Sequence, residues 1–166
     1  MKYSIIYSSA TGNTAMLAKH ILKTLSNHEC LYDGQLTDTI NIENNEILFI
    51  GFWTDKGVCD EKMQTFLKSL HNQKIFLFGT AGFGGSQQYF DAIIERVKAF
   101  IDDTNQIVGT FMCQGKMPMS IRERYVSMAK KDPQRFQPMI DNFDQALSHP
   151  SQDDLQSLTS ILEKIS

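Results

Sequence analysis

No stretch of this chain is apolar for long enough to span a bilayer, and Met1-Lys2-Tyr3 leads into a short strand-like run instead of a secretory hydrophobic segment. A soluble, cytoplasmic protein without a membrane partner is expected. Cysteine is scarce: Cys30, Cys59 and Cys113 are widely spaced, with no CxxC pair and no histidine at ligand spacing. That excludes a disulfide framework and a sequence-encoded metal site, and leaves reduced thiols whose ordinary role is that of small buried hydrophobes. Positive charge is not in excess either, since 16 basic residues face 19 acidic ones, so there is no overall footprint for nucleic acid. Internal repeats and low-complexity tracts are missing. None of His20, His28, His71 and His149 falls in a loop expected to carry chemistry, and no nucleophilic triad is supported.

What the 166 residues do contain is an alternation of strand and helix patterns, suited to a single domain over residues 1–166. Strands are expected at Lys2–Tyr7, Cys30–Tyr32, Ile47–Trp53, Lys74–Phe78 and Ile107–Cys113. The run Ile47-Leu48-Phe49-Ile50 is apolar without alternation, as in a strand covered on both faces. Between the strands, Ala18, Ile21, Leu22 and Leu25 share one helical face behind an Asn13 or Thr14 cap. Asp60 caps a second helix carrying Met63, Phe66, Leu67 and Leu70, and Ser86 a third carrying Phe90, Ile93, Ile94 and Val97. A last helix starts at Pro150-Ser151, with Asp154 completing a capping box. The predicted fold is α/β, with three layers: a five-stranded parallel sheet and helices on both faces. Right-handed crossovers bring the loops Ser9–Thr14, Thr54–Cys59 and Thr80–Ser86 to one sheet edge, where ligands of such sheets bind.

The first of these loops is the most informative. Ser9-Ala10-Thr11-Gly12-Asn13-Thr14 is set behind the apolar run Tyr3-Ser4-Ile5-Ile6-Tyr7 and opens the first helix. Three hydroxyls, a glycine and the free N–H groups of a helix start favour an anion there. The loop has no lysine, so it is not a GxxxxGK[ST] nucleotide loop. It suits a single phosphomonoester on an organic cofactor.

With this loop, the alternation and the length together, the chain resembles the flavodoxin family, whose phosphate loop reads T/S-x-T-G-x-T. Ser9 to Thr14 matches that pattern without a gap, and the resemblance spans residues 1–113 and 150–166. It implies non-covalently bound FMN and a sheet order of 2-1-3-4-5. It further implies cofactor contacts from Ser9, Ala10, Thr11, Gly12, Asn13 and Thr14, then Trp53, Thr54, Asp55, Lys56 and Gly57, then Thr80, Ala81, Gly82, Phe83 and Gly84. The family's aromatic in the second loop sits later than Trp53 does, and the G-D pair usual in the third loop is missing. Phe83, between glycines, is the expected ring partner, with Tyr89 as a second. Trp53 either packs in the core or touches the cofactor. The Lys56–Gly57 peptide either responds to cofactor reduction or simply turns the chain before Asp60. Asp55 and Lys56 are solvated loop charges or, placed near the ring, tune its potential.

The resemblance implies an electron carrier more than a stand-alone oxidoreductase, with redox partner proteins, no catalytic side chain, and a monomer or weak dimer. The Trp53-Thr54-Asp55-Lys56-Gly57 loop and the Cys113-Gln114-Gly115-Lys116 segment are similar to a branch of the family that accompanies bacterial tetrapyrrole (bilirubin) reduction, so a flavin-dependent or tetrapyrrole reductase is among the implied partners. The alternatives are an NAD(P)H-dependent flavin or quinone reductase, and a flavin-free module for another phosphate ligand. Residues 114–149 break the alternation, with a helix expected over Ser120–Lys130, a turn at Asp132-Pro133 and a helical piece at Ile140–Leu147. Residues 116–135 hold six basic side chains against Glu123 and Asp132 in an otherwise acidic chain, with Met117, Met119, Met128 and Met139 in or near them. This segment reads as a lid, as a basic docking face, or as a helical decoration on the sheet edge.

Overall fold

Long apolar strands that alternate with amphipathic helices bury themselves by forming a sheet sandwiched between helical layers. A computed structural model describes residues 1–166 in that arrangement. The sheet is built from β1 (Lys2–Tyr7), β2 (Glu29–Gln35), β3 (Ile47–Asp55), β5 (Lys74–Ala81) and β6 (Gln106–Gln114). These five run parallel in the order β2-β1-β3-β5-β6, the order implied by the resemblance. A sixth strand, β4 (Val58–Cys59), turns back antiparallel on the end of β3, pairing Thr54 with Cys59 and Asp55 with Val58. Two residues are too few to show a period, which is why this hairpin was not anticipated.

Side chains alternate across the sheet and sort into two cores. Ile6, Leu48, Ile50, Phe52, Ile75 and Leu77 face α2 (Glu61–Lys68) and α3 (Gln87–Lys98), meeting Met63, Leu67, Ile93 and Val97. Tyr3, Ile5, Ile47, Phe49, Phe76 and Phe78 face α1 (Asn13–Thr24) and α6 (Gln152–Leu162), meeting Leu17, Ile21, Leu158 and Leu162. Tyr3 stands edge-on to Phe49 at 5.6 Å between ring centroids, and Phe49 lies 5.4 Å from Phe76. Gly79 lets the Phe52 ring lie across the neighbouring strand, because a β-carbon there would come within 2.6 Å of it.

The caps follow the chemistry of their residues. Asp60 accepts from the Met63 N–H and Ser86 from the Tyr89 N–H, while Ser151 and Asp154 cap one another's backbone. α1 is the exception. Its N-cap is Gly12, left-handed at φ 90° and without a side-chain cap, so Asn13 and Thr14 are the first helical residues and not caps.

After β6 the chain leaves the sheet for α4 (Met119–Ala129) and α5 (Pro133–Ala146), which pack chiefly on each other. α4 covers the helix expected at Ser120–Lys130. α5 starts a full turn and more before the expected Ile140, because Asp132 caps it through the Arg135 N–H and Pro138 is carried inside it. Pro138 costs only one backbone bond in the second turn of α5, and the burial of Phe136, Ile140 and Phe143 offsets it. The excursion is closed at its neck by hydrogen bonds from the Gly115 N–H to the Ala81 carbonyl and from the Lys116 N–H to the His149 carbonyl. No helix is long and apolar enough to cross a membrane.

Candidate functional site

The C-terminal ends of β1, β3 and β5 deliver their loops to one edge of the sheet, and the neck of the excursion joins them there. Between them lies a cleft of about 540 Å³, within the ~300–1,000 Å³ usual for small-molecule sites. The first loop contributes Ala10, Thr11 and Asn13 to its wall. The second contributes Trp53, Thr54, Lys56 and Gly57, and the third Thr80, Ala81, Gly82 and Phe83, with Tyr89 from α3. Eleven of the sixteen expected contact residues therefore meet in one cavity.

The other five lie outside the lining, each for a structural reason. Ser9 Oγ accepts from the Gly12 and Ala15 N–H groups and so shapes the loop from within. Gly12 supplies the left-handed turn, and a β-carbon there would meet nothing within 4 Å, leaving the approach to the helix start open. Thr14 is buried; its hydroxyl donates to the Phe52 carbonyl at 3.1 Å and pairs with Thr80 Oγ1 at 3.1 Å. That hydroxyl is spent on the strand ends, so of the three expected to converge on an anion only Thr11 lines the cleft. Asp55 belongs to the β3–β4 hairpin. Gly84, at φ 93°, sits exposed beside the Tyr89 ring, which a β-carbon would strike at 2.2 Å.

At the first loop the chemistry is that of an anion site. The N–H groups of Asn13 and Thr14, in the first turn of α1, find no acceptor within the protein. Asn13 Nδ2 donates to Thr11 Oγ1 at 3.0 Å and to the Lys116 carbonyl at 2.9 Å. The loop is thereby fastened to the excursion's neck, which places Lys116 in the cleft wall. The first loop carries no cation in sequence, yet the fold sets the Lys116 backbone against it and puts Lys116 in the lining of the same cleft. Ser8 Oγ donates to Asp60 Oδ2 at 2.5 Å, linking the loop's root to the start of α2.

The second loop is a two-residue hairpin. Lys56 at φ 51° and Gly57 at φ 84° are both left-handed, as a type I′ turn requires. The Gly57 carbonyl accepts from Arg96 Nη1 at 3.1 Å, so α3 holds the turn in place. Trp53, half-buried at the end of β3, faces the cleft. The Oγ1 of Thr54 is buried without a partner, and so is Asn13 Oδ1. Orphaned polar atoms at a cleft wall are what a bound polar ligand satisfies.

The third loop is pinned from behind. The Gly82 carbonyl accepts from Gln114 Nε2 at 3.1 Å and from Asn142 Nδ2 at 2.9 Å, and those two side chains also bond one another. Here α5 reaches in from the excursion to fix a loop that sequence places 60 residues away. Met117 covers Gly82 so closely that a β-carbon would fall 2.5 Å from its sulfur. Phe83 stands 6.5 Å from Tyr125, which in turn stands 6.4 Å from Phe136.

The sixteen expected contacts leave out one wall, and it comes from the segment whose readings included a lid. Gly115, Lys116, Met117, Pro118, Ile121 and Tyr125 line the cleft, so the excursion is part of the site and not only a decoration. The signal that could have found it was the apolar pair Ile121 and Tyr125, four apart on one side of the helix. The cysteines take no part: Cys59 and Cys113 are buried, burial pushes the Cys59 thiol up to about 12, and that of Cys113 is raised further. Such thiols are inert at neutral pH. His20 and His149 are tied to Thr159 and Asp154, and neither lines the cleft.

The flavodoxin domain family matches residues 4–163 of this chain. A flavodoxin-like domain-containing protein BilS of Clostridium symbiosum (strain WAL-14163) is 38% identical over 98% of this chain and 94% of its own length. The protein of the same name from Clostridioides difficile (strain CD3) is 36% identical over 93% and 90%. Among solved structures, a flavoprotein in complex with FMN from Lactobacillus acidophilus superposes with a TM-score of 0.53 at 16% identity, covering 68% of this chain and 93% of its own.

Proposed function

The chain belongs to the flavodoxin family, and from that premise we propose that it binds FMN in the three-loop cleft and transfers electrons to or within a reductase system. FMN, when bound, supplies the redox chemistry by accepting and giving up electrons in single steps. One observation carries the reading: a helix start with unsatisfied N–H groups behind an open left-handed glycine shares one cleft with the aromatic side chains of Trp53, Phe83, Tyr89 and Tyr125. A phosphomonoester joined to a flat ring is the ligand shape that uses both.

The residues fit the group. Thr11 and the Asn13 and Thr14 N–H groups hold the phosphate, with Lys116 adding charge, and the α1 dipole points the same way. Trp53, Phe83, Tyr89 and Tyr125 offer the apolar and aromatic surface that a ring needs, and they exclude water from it. The Lys56–Gly57 turn presents backbone polar groups at the same wall, steadied by Arg96. Thr54 Oγ1 and Asn13 Oδ1 gain partners on binding.

Titration of the flavin-free protein with FMN is the deciding measurement. Saturable quenching of flavin fluorescence is expected; a protein that leaves FMN fluorescence unchanged overturns the proposal. A second reading, an NAD(P)H-dependent reductase, draws on the extra wall that Ile121 and Tyr125 build over the cleft. Stopped-flow mixing of the loaded protein with NADH and NADPH separates the two, since a shuttle is not reduced by either at a useful rate.

A further inference from the structure

We propose that the outward arc of α4 is the docking face for an acidic redox protein, which it seats against the outer wall of the cofactor cleft. The inference rests on the electron-transfer reading above, and adds the chemistry of the partner and the place where it binds.

α4 has no buried residue. At 100° per residue, Ile121, Arg122, Tyr125 and Ala129 fall within one arc about 100° wide, the arc that faces the cleft and α5. The other side chains, from Val126 round to Met128, spread over about 200° and are all exposed. They include Met119, Val126 and Met128, at 56%, 39% and 42% exposure. These are three of the six large hydrophobic side chains that the chain leaves exposed, and they lie within ten residues of one another. An 11-residue helix that keeps apolar side chains in water gains nothing from them in the free protein.

The cations make the partner specific. Arg124 stands on the exposed arc, and Lys130 and Lys131 stand exposed at and just past the C-terminal end of α4, opposed by Glu123 and Asp132, while the chain as a whole carries a net charge of −3. Met128, beside Arg124 and Lys131, forms an adaptable apolar contact with a basic rim, the make-up of a transient protein interface. Apolar and basic residues are interspersed around the arc, whereas a helix that lies on a membrane segregates them to opposite sides. Position completes the argument: Ile121 and Tyr125, on the inner side of the same helix, line the cleft. A partner on the outer side is one helix thickness, about 10 Å, from the cofactor wall. The bidentate pair between Arg122 and Asp144 holds α4 at that distance.

The test uses a small acidic iron–sulfur ferredoxin as electron donor to the FMN-loaded protein in stopped flow. Two net-negative proteins that meet without a preferred face repel, and their rate rises with salt. Docking through α4 reverses the sign: the rate falls about tenfold between about 20 and 500 mM salt, as screening shortens the field's reach. The combined substitution Arg124→Glu, Lys130→Glu and Lys131→Glu is expected to slow the low-salt rate about tenfold and turn the salt dependence upward. Met119→Ser with Met128→Ser slows the rate and leaves the salt slope in place. Amide-shift mapping with the oxidised ferredoxin is expected to move residues 116–135 and not the β2 edge. A rate that rises with salt in the unsubstituted protein, shifts mapped elsewhere, or binding to phosphatidylglycerol vesicles that the triple substitution abolishes while leaving the ferredoxin rate intact would each overturn the proposal. Failure to hold FMN overturns the electron-transfer reading instead, and the amide shifts still decide whether α4 is the docking face.

Discussion

The Thr14 hydroxyl gives the sharpest check on the site as described. It donates to the Phe52 carbonyl and receives the Thr80 hydroxyl, both at 3.1 Å, in a fully buried position. Thr14→Val keeps the shape and removes both bonds, leaving a buried carbonyl and a buried hydroxyl short of a partner. Each such loss costs about 1 kcal/mol or more, so a destabilisation of about 2 kcal/mol is expected. For a chain of this length that lowers the melting temperature by about 4–8 °C. The assay is thermal unfolding of the flavin-free protein, followed by FMN titration below the transition. FMN affinity is expected to stay within a few fold of the original, because Thr14 offers the ligand its backbone N–H and not its hydroxyl. Adding Thr80→Val recovers part of the loss, since an apolar pair of the same shape leaves one orphan instead of two. A flavin-free protein with unchanged melting temperature and a hundredfold loss of FMN affinity refutes this, and returns the hydroxyl to the phosphate.

Three further outcomes follow from the same geometry. Gly12→Ala places a β-carbon in open space but at φ 90°, so chemical denaturation is expected to show a loss of about 1–2 kcal/mol from backbone strain alone. Alkaline pH is expected to destabilise the protein: burial raises Cys59 and Tyr3 each to about 12, and raises Cys113 as well, so these groups keep their protons in the native state while the unfolded chain loses them. Their contribution is intact below about pH 9 and lost progressively towards pH 12, measured as a falling denaturation midpoint. Arg122→Ala removes the bidentate bond to Asp144. Hydrogen exchange across residues 119–129 is expected to quicken while the strand amides are unchanged, and Asp144, which Arg122 holds below the usual carboxylate range, is expected to titrate higher in an NMR pH series.

Most of the sheet and the helices that bury one face were legible in local pattern, because burial on two faces leaves unbroken apolar runs and burial on one leaves a 3.6-residue period; β2 was expected only over Cys30–Tyr32 of Glu29–Gln35, and α4 has no buried face. Ile47–Phe52 and the Met63, Leu67 face are the plainest cases. What escaped was short or contrary to propensity. The Val58–Cys59 strand exists because a type I′ turn folds it onto β3, and α5 continues through Pro138 because its apolar face is buried. The site divides in the same way. Ser9–Thr14 declared an anion site, since its signal is one loop between one strand and one helix. That Thr14 turns its hydroxyl inward could not be read, because Phe52 and Thr80 come to it from two other strands.

By itself the sequence determined the alternation, the phosphate loop and hence the cofactor class, all set by contacts between near neighbours in the chain. Only the tertiary structure decided what surrounds that cofactor. Lys116 beside a loop without a cation, Asn142 on the Gly82 carbonyl and Tyr125 against Phe83 join residues 42 to 103 positions apart. No local period or motif encodes such meetings; they arise because α5 buries Phe136, Ile140 and Phe143 while packing on α4, and the hydrogen bonds of Gly115, Lys116 and Asn142 fasten that pair beside the cleft.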